Sequence, residues 1–222
     1  MLIRQLIAAA ALTASLMDGA MDRGLPHLDV DGSVFLVNRQ NLIVEAYVPQ
    51  TVEVDVSGAS RIMREDAARA LEEMFAAAKK EAKVNLVSVS GYRSYSKQKT
   101  IHNNKIKSAG SVDKAEEYVA PPGASEHQLG LAMDLGSKTS SGLTAAFGKT
   151  KGGVWVRDNA HRFGFIIRYQ QGWEDITGYS YEPWHVRYVG IEHATAMYEK
   201  KIPMENYIQT LQVNAILDIL KP

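Results

Sequence analysis

The stretch Ser125-Glu126-His127-Gln128-Leu129-Gly130-Leu131-Ala132-Met133-Asp134 sets an imidazole and a carboxylate seven residues apart, on either side of a glycine. Leu131 to Leu135 reads as a strand, and Gly130 lets the backbone turn between the His127 segment and that strand. Histidine is a borderline ligand well suited to zinc, and a carboxylate can complete the set, so the segment is half of a metal site. The other half is Tyr181-Glu182-Pro183-Trp184-His185. Pro183 biases Glu182 to extended geometry and so holds carboxylate and imidazole near each other without a helix. His185 to Val189 reads as a further strand. Catalytic zinc takes three protein ligands and keeps one position open for water. Two imidazoles and two carboxylates are on offer, which leaves one carboxylate for acid–base work. Spacing alone does not say which of Asp134 and Glu182 that is.

Upstream, Met63, Ala67, Leu71, Met74, Phe75 and Ala78 recur at helical spacing within Ser60 to Lys83. Glu65 and Asp66 stand early and Lys79, Lys80 and Lys83 late, as the helix dipole prefers. Val84 to Ser90 is rich in strand formers and stops at Gly91, and Ser94 or Ser96 can cap a polar helix through Ile101 to Ile106. Arg93 thus falls at a strand-to-helix turn. Downstream, Phe165 to Tyr169 reads as a strand, preceded by a short helix from about Arg157 that Gly164 closes. Two helices, about Ile191 to Lys200 and Met204 to Leu217, are separated by Pro203. Ala109 to Ser125 and Ser137 to Gly153 read as long loops, which in a compact domain are often functional. The irregular alternation predicts an α+β fold with a small antiparallel sheet and flanking helices.

The 222 residues suffice for one domain, and 45% hydrophobic residues suffice for its core. Acids and bases balance at 25 each, so no field favours nucleic acid or anionic lipid. With no cysteine, disulfides, thiolate zinc sites and Cys nucleophiles are excluded, and any metal must use His, Asp or Glu. Arg4 ahead of an apolar run from Leu6 to about Met17 fits a secretory signal and is short for a membrane span of about 20 residues. Leu12-Thr13-Ala14 and Asp18-Gly19-Ala20 are both imperfect cleavage sites. The alternative is an amphipathic helix retained in a cytoplasmic protein. Residues 1–24 are set apart as signal or N-terminal helix, and 25–222 as the folded domain.

Ser125-x-His127-x-x-Gly130-x-Ala132-x-Asp134, with Glu182-x-Trp184-His185 downstream, resembles the metal motif of the VanY-type D-alanyl-D-alanine carboxypeptidases and their LAS zinc-peptidase relatives. Ser90-Gly91-Tyr92-Arg93-Ser94, Phe163-Gly164-Phe165-Ile166 and Ile176-Thr177-Gly178-Tyr179 match in the same order, and the resemblance runs from about Val37 to Val189. It implies an LAS-type fold and zinc on His127, Asp134 and His185. Glu182 is then the catalytic base, and Arg93, Gln98 and Ser125 contact substrate. The substrate implied is a peptidoglycan stem peptide ending in D-Ala, met in the cell envelope or outside the cell. The same site would also suit an L,D-carboxypeptidase, a D,D-dipeptidase or a wall endopeptidase. A wall-binding module without turnover would have no need of Glu182.

Gly142 to Thr150 imitates a phosphate loop, but its glycines are separated by five residues where four are required, and no strand leads into it. His27, His102, His161 and His193 lack ligand-like spacing and read as surface or satisfied histidines. Trp184, Tyr181 and Tyr92 divide evenly between packing and lining a site.

Overall fold

A computed structural model describes residues 29–137 and 143–220. The N-terminal apolar run with both candidate cleavage sites lies outside them, as do His27 and part of the second expected loop. Among the described residues, no helix is long and apolar enough to cross a membrane.

A two-stranded antiparallel sheet of β1 (Val52–Glu53) and β2 (Ile62–Met63) leads into α1 (Glu65–Ala82). β3 (Leu86–Ser90), α2 (Tyr95–Ala109) and α3 (Val112–Glu116) follow. Then come β4 (Ala132–Ser137), α4 (Lys151–Asn159), β5 (Phe165–Tyr169), α5 (Glu174–Thr177) and β6 (Glu182–Tyr188). The chain closes with α6 (Ile191–Lys200) and α7 (Met204–Ile219). The main sheet has the order β3-β4-β6-β5 and every pairing is antiparallel, so the α+β expectation holds.

Strand β5 is buried on both faces, and its side chains divide between two apolar clusters at a period of two. Phe165 and Ile167 of β5 join Leu71, Met74 and Ala78 of α1 in the larger cluster, with Met133, Leu135 and Val186. Ile166, between them in sequence, joins Ala194, Met197, Met204 and Ile208 of α6 and α7 in the smaller one. Covering both faces explains why Phe165-Ile166-Ile167 is an unbroken apolar run. Each such side chain contributes about 1.5–3 kcal/mol relative to exposure.

Four expectations are corrected. The first helix starts at Glu65 rather than Ser60, because Ile62 and Met63 pair with Glu53 and Val52 instead. The loop expected over Ala109 to Ser125 contains α3, which Ser111 caps by accepting a bond from the Lys114 N–H. The loop expected over Ser137 to Gly153 is likewise partly helical. Its C-terminal part forms a 3-10 turn, Ala145–Lys149, and the start of α4, capped by Thr150. Gly152 and Gly153 disguise that start, since glycine is a poor helix former. A Cβ on Gly153 would lie 2.1 Å from the Phe147 carbonyl oxygen, so the helix start is packed against the preceding 3-10 turn too closely for any side chain. Finally, the strand expected from His185 begins at Glu182.

Candidate metal centre and active-site cleft

Asp134 and His185 are directly opposite each other in the β4–β6 ladder, so the backbone lattice itself sets their separation. His127 comes from the 3-10 turn Glu126–Leu129, which Gly130 ends at φ +71°, a conformation that favours glycine. All three side chains are buried, and one ligand atom from each falls within 4.8 Å of the others. His127 Nε2 is 3.4 Å from Asp134 Oδ2, and His185 Nδ1 is 3.1 Å from Asp134 Oδ1.

Ring partners choose the tautomers. His127 Nδ1–H donates to the Gly91 carbonyl at 2.8 Å, leaving the Nε2 lone pair turned to Asp134. His185 Nε2–H donates to Glu126 Oε2 at 3.0 Å, leaving Nδ1 on the Asp134 side. Two imidazoles oriented by backbone and carboxylate acceptors, with a third donor from a carboxylate, are the chemistry of a zinc site. The donor set fits the metal.

Burial, followed by the neighbouring Arg93, lowers the His127 pKa to about 4 and keeps it neutral. Burial opposes charge on His185, but hydrogen bonds to Asp134 and Glu126 prevail and lift it to about 9. Burial pulls the Asp134 carboxyl upward, but the hydrogen bond and charge of His185 hold it well below the carboxylate range. Glu182 behaves in the opposite way. Burial pushes its carboxyl up to about 8, only partly offset by His185, and no hydrogen bond reaches it among the described residues. Two carboxylates beside one site are thus driven apart, one fixed as an anion and one poised near neutrality.

Glu182 and His185 are three residues apart on one strand, where strict alternation would send them to opposite faces. The β5–β6 pairing shifts register between Ile167 and Tyr169, with Tyr169 opposite Glu182, and such an irregularity re-aims a side chain. Both line a cleft of about 770 Å³ together with Arg93, Gln98, Ser125, His127 and Asp134. Arg93 Nη2 donates to Asp134 Oδ2 at 2.7 Å and to His127 Nε2 at 2.9 Å, while Nε donates to Ser90 Oγ. Gln98 accepts from Arg93 Nη1 at 3.2 Å and donates to the Ala120 carbonyl at 2.7 Å. Its amide is therefore committed at both ends, and its nearest effect is to hold the guanidinium.

Glu126 is the residue that sequence reasoning passed over, although it stands next to His127. Its Oε1 accepts from Arg168 Nε at 2.8 Å and Arg187 Nη1 at 3.0 Å. Arg168 also grips Glu205 on α7 with two bonds of 2.6 and 3.0 Å. Arg187 donates to the Ser33 and Phe35 carbonyls at 2.9 Å each. Glu126, Arg168 and Arg187 are at most 1% exposed. An arginine inside an apolar strand such as Phe165-Ile166-Ile167-Arg168-Tyr169 was the available signal, since charged groups are almost never buried unpaired.

The remaining histidines are engaged elsewhere. His102 meets Glu116 at 3.0 Å, His161 stacks on Tyr198, and His193 meets the Tyr207 hydroxyl at 2.8 Å. Trp184 and Tyr181 line the cleft, and Trp184 is also part of the larger core cluster.

The family description of VanY, D-alanyl-D-alanine carboxypeptidase, matches residues 60–191. A D-alanyl-D-alanine carboxypeptidase of Enterococcus faecalis (strain ATCC 700802 / V583) is 39% identical over 188 residues, covering 80% of this chain and 66% of that protein. Among solved structures, the LD-carboxypeptidase LdcB is 46% identical with a TM-score of 0.76, covering 81% of this chain and 87% of that one. A D,D-pentapeptidase VanY variant from a VanB-type resistance cassette, solved with Zn(II), is 37% identical with a TM-score of 0.69, covering 79% and 98%.

Proposed function

The chain belongs to the VanY family of D-alanyl-D-alanine carboxypeptidases, and from that premise we propose that it removes the C-terminal D-Ala from peptidoglycan stem peptides, with His127, Asp134 and His185 as zinc ligands and Glu182 as the base. The observation that carries this reading is the convergence of three buried metal donors and an unpartnered carboxyl on one cleft.

Zinc in this site would supply a Lewis acid that lowers the pKa of water to about 7 and polarises the scissile carbonyl. Glu182 takes a proton from the attacking water at a carboxylate oxygen and delivers it to the departing amine as the C–N bond breaks. Its position near neutrality suits both halves of that exchange. Arg93 donates to the oxyanion or to the terminal carboxylate of the peptide. Its bonds to Asp134 and His127 place the guanidinium beside the residues that would hold the metal, in the cleft where the peptide would lie. Gln98 holds that guanidinium in place, and Ser125 lines the cleft beside it.

Residues 1–24 act in this reading as an export signal and deliver the domain to the cell envelope. A second reading, removal of D-Ala from tetrapeptides as an L,D-carboxypeptidase, is favoured by the 46% identity with LdcB. Purified zinc-loaded protein incubated with pentapeptide and tetrapeptide stems, with products identified by mass, decides the matter. Loss of one D-Ala from the pentapeptide supports the first reading, and loss from the tetrapeptide the second. Release of D-Ala-D-Ala would mark a dipeptidase. Release of no alanine from either peptide would refute both readings.

A further inference from the structure

The cleft extends well beyond the metal donors along one face of α2. Gln98, Ile101 and Lys105 are three and then four residues apart, so they lie on a single helical stripe that forms one wall. Gln98 marks the catalytic end through its bond to Arg93, and Lys105 marks the far end. Seven residues at a rise of about 1.5 Å separate them by about 10 Å. An extended peptide advances about 3.3 Å per residue, so the stripe corresponds to about three residues of bound chain.

Lys105 differs from the other lysines of α2. Lys97, Lys99 and Lys107 are exposed, as a solvated helix face requires, whereas Lys105 is half-buried in the cleft wall. Its ammonium sits 5.1 Å from the centre of the Tyr118 ring, which lines the same cleft. Contact with a ring face holds an ammonium in place without using up its N–H donors. No carboxylate pairs with it among the described residues. Glu116, in the helix before Tyr118, is already engaged by Arg39 and His102. The cleft therefore presents an anchored cation with unused donors, about three residues upstream of the group that Arg93 holds.

We propose that Lys105 and Tyr118 form a distal subsite for a carboxylate carried by the substrate about three residues before its C-terminus. This rests on the peptidase reading above and deepens it. The enzyme would select acidic peptides ending in D-Ala, the charge recognised by Lys105 and the neighbouring apolar part of the peptide by the Tyr118 ring.

The test uses two synthetic peptides ending in D-Ala that are identical except for one residue, three before the last, carrying a free carboxylate in one and a carboxamide in the other. Wild-type protein is expected to show a KM about 3- to 10-fold lower for the carboxylate peptide, the range for a charge-assisted contact that is partly exposed. Lys105→Gln should bring the ratio of the two KM values to about one, and Lys105→Glu should invert it. Cleavage of both peptides with equal KM by the wild type, or a preference that survives Lys105→Gln, overturns the subsite and leaves the peptidase reading standing. Cleavage of neither peptide by the zinc-loaded wild type overturns both.

Discussion

Replacing Glu126 by glutamine keeps the shape of the side chain and removes the one charge that Arg168, Arg187 and His185 share. Arg168 would keep Glu205 as its only carboxylate partner and Arg187 would have only backbone carbonyls. Both guanidiniums are at most 1% exposed, so water cannot make up the loss. Breaking a buried ion pair by removing one partner costs about 3–5 kcal/mol, and that is the expected fall in unfolding free energy, read by urea titration of the metal-free protein. The second effect falls on His185, whose Nε2–H loses the acceptor that orients the ring. Loss of such a partner lowers metal affinity about 10- to 100-fold, measured by competition with a chelator of known affinity. Glu205→Gln separates the two effects. It strips Arg168 of a carboxylate without touching His185, so it should lower stability while changing zinc affinity far less. Acid adds an independent signature. The two guanidiniums outweigh burial and hold the Glu126 carboxyl well below the usual range, so its stabilisation is present above about pH 4.5 and is lost as the pH falls. The gap between wild type and Glu126→Gln should accordingly narrow in acid. A variant within about 1 kcal/mol of wild type, binding zinc within about twofold, would refute the reasoning.

Three further outcomes follow from the site. Glu182→Gln should lower kcat about 10²–10⁴-fold with zinc retained, whereas Asp134→Asn, His127→Ala and His185→Ala should lose the metal; zinc analysis beside kinetics would expose the reverse assignment of the two carboxylates. Arg93→Ala should weaken turnover without releasing zinc, because Arg93 offers no metal donor and lies beside the residues that would hold the metal, and unchanged kinetics on a free-carboxylate peptide would count against it. In the metal-free protein burial raises the Glu182 carboxyl to about 8, so its contribution to stability is full below about pH 4.5 and disappears as the pH rises through 8; melting temperatures of wild type and Glu182→Gln, whose amide mimics the protonated acid, should agree at the acid end and diverge as the pH rises, with wild type falling below the variant, and parallel curves would show that Glu182 does not titrate there.

The sequence was most legible where one local rule dominated. The strand over Phe165 to Tyr169, the helix over Ile191 to Lys200 and a serine cap for α2 needed only neighbouring residues, and the structure has all three, with Ser94 rather than Ser96 as the cap. Reading failed where a long-range contact overrode local preference. Met63 fits the helical spacing, yet the ladder with β1 claims it, and Gly153 at the start of α4 lies so close to the Phe147 carbonyl that no Cβ fits. For the site, the two motifs named His127, Asp134, Glu182 and His185, which the fold brings to one cleft, while the choice between the two carboxylates came from the family resemblance. The role of Glu126 was not visible in the same way. It depends on Arg168 and Arg187, some forty and sixty residues further along, whose meeting with it is a property of the folded sheet.

The register that sets Asp134 against His185 also divides the labour of change in this molecule. Two of the three metal donors are spaced by the ladder of β4 and β6, the most constrained part of the backbone. The distal reach of the cleft is walled instead by α2 and by the segments around Tyr118 and Thr144, which the sheet does not dictate. Insertions or substitutions there can reshape which peptide fits while the metal donors stay in register. An LD-carboxypeptidase and a D,D-pentapeptidase both superpose on this chain, as expected of a scaffold whose chemistry is written in its strands and whose selectivity is written in its connections.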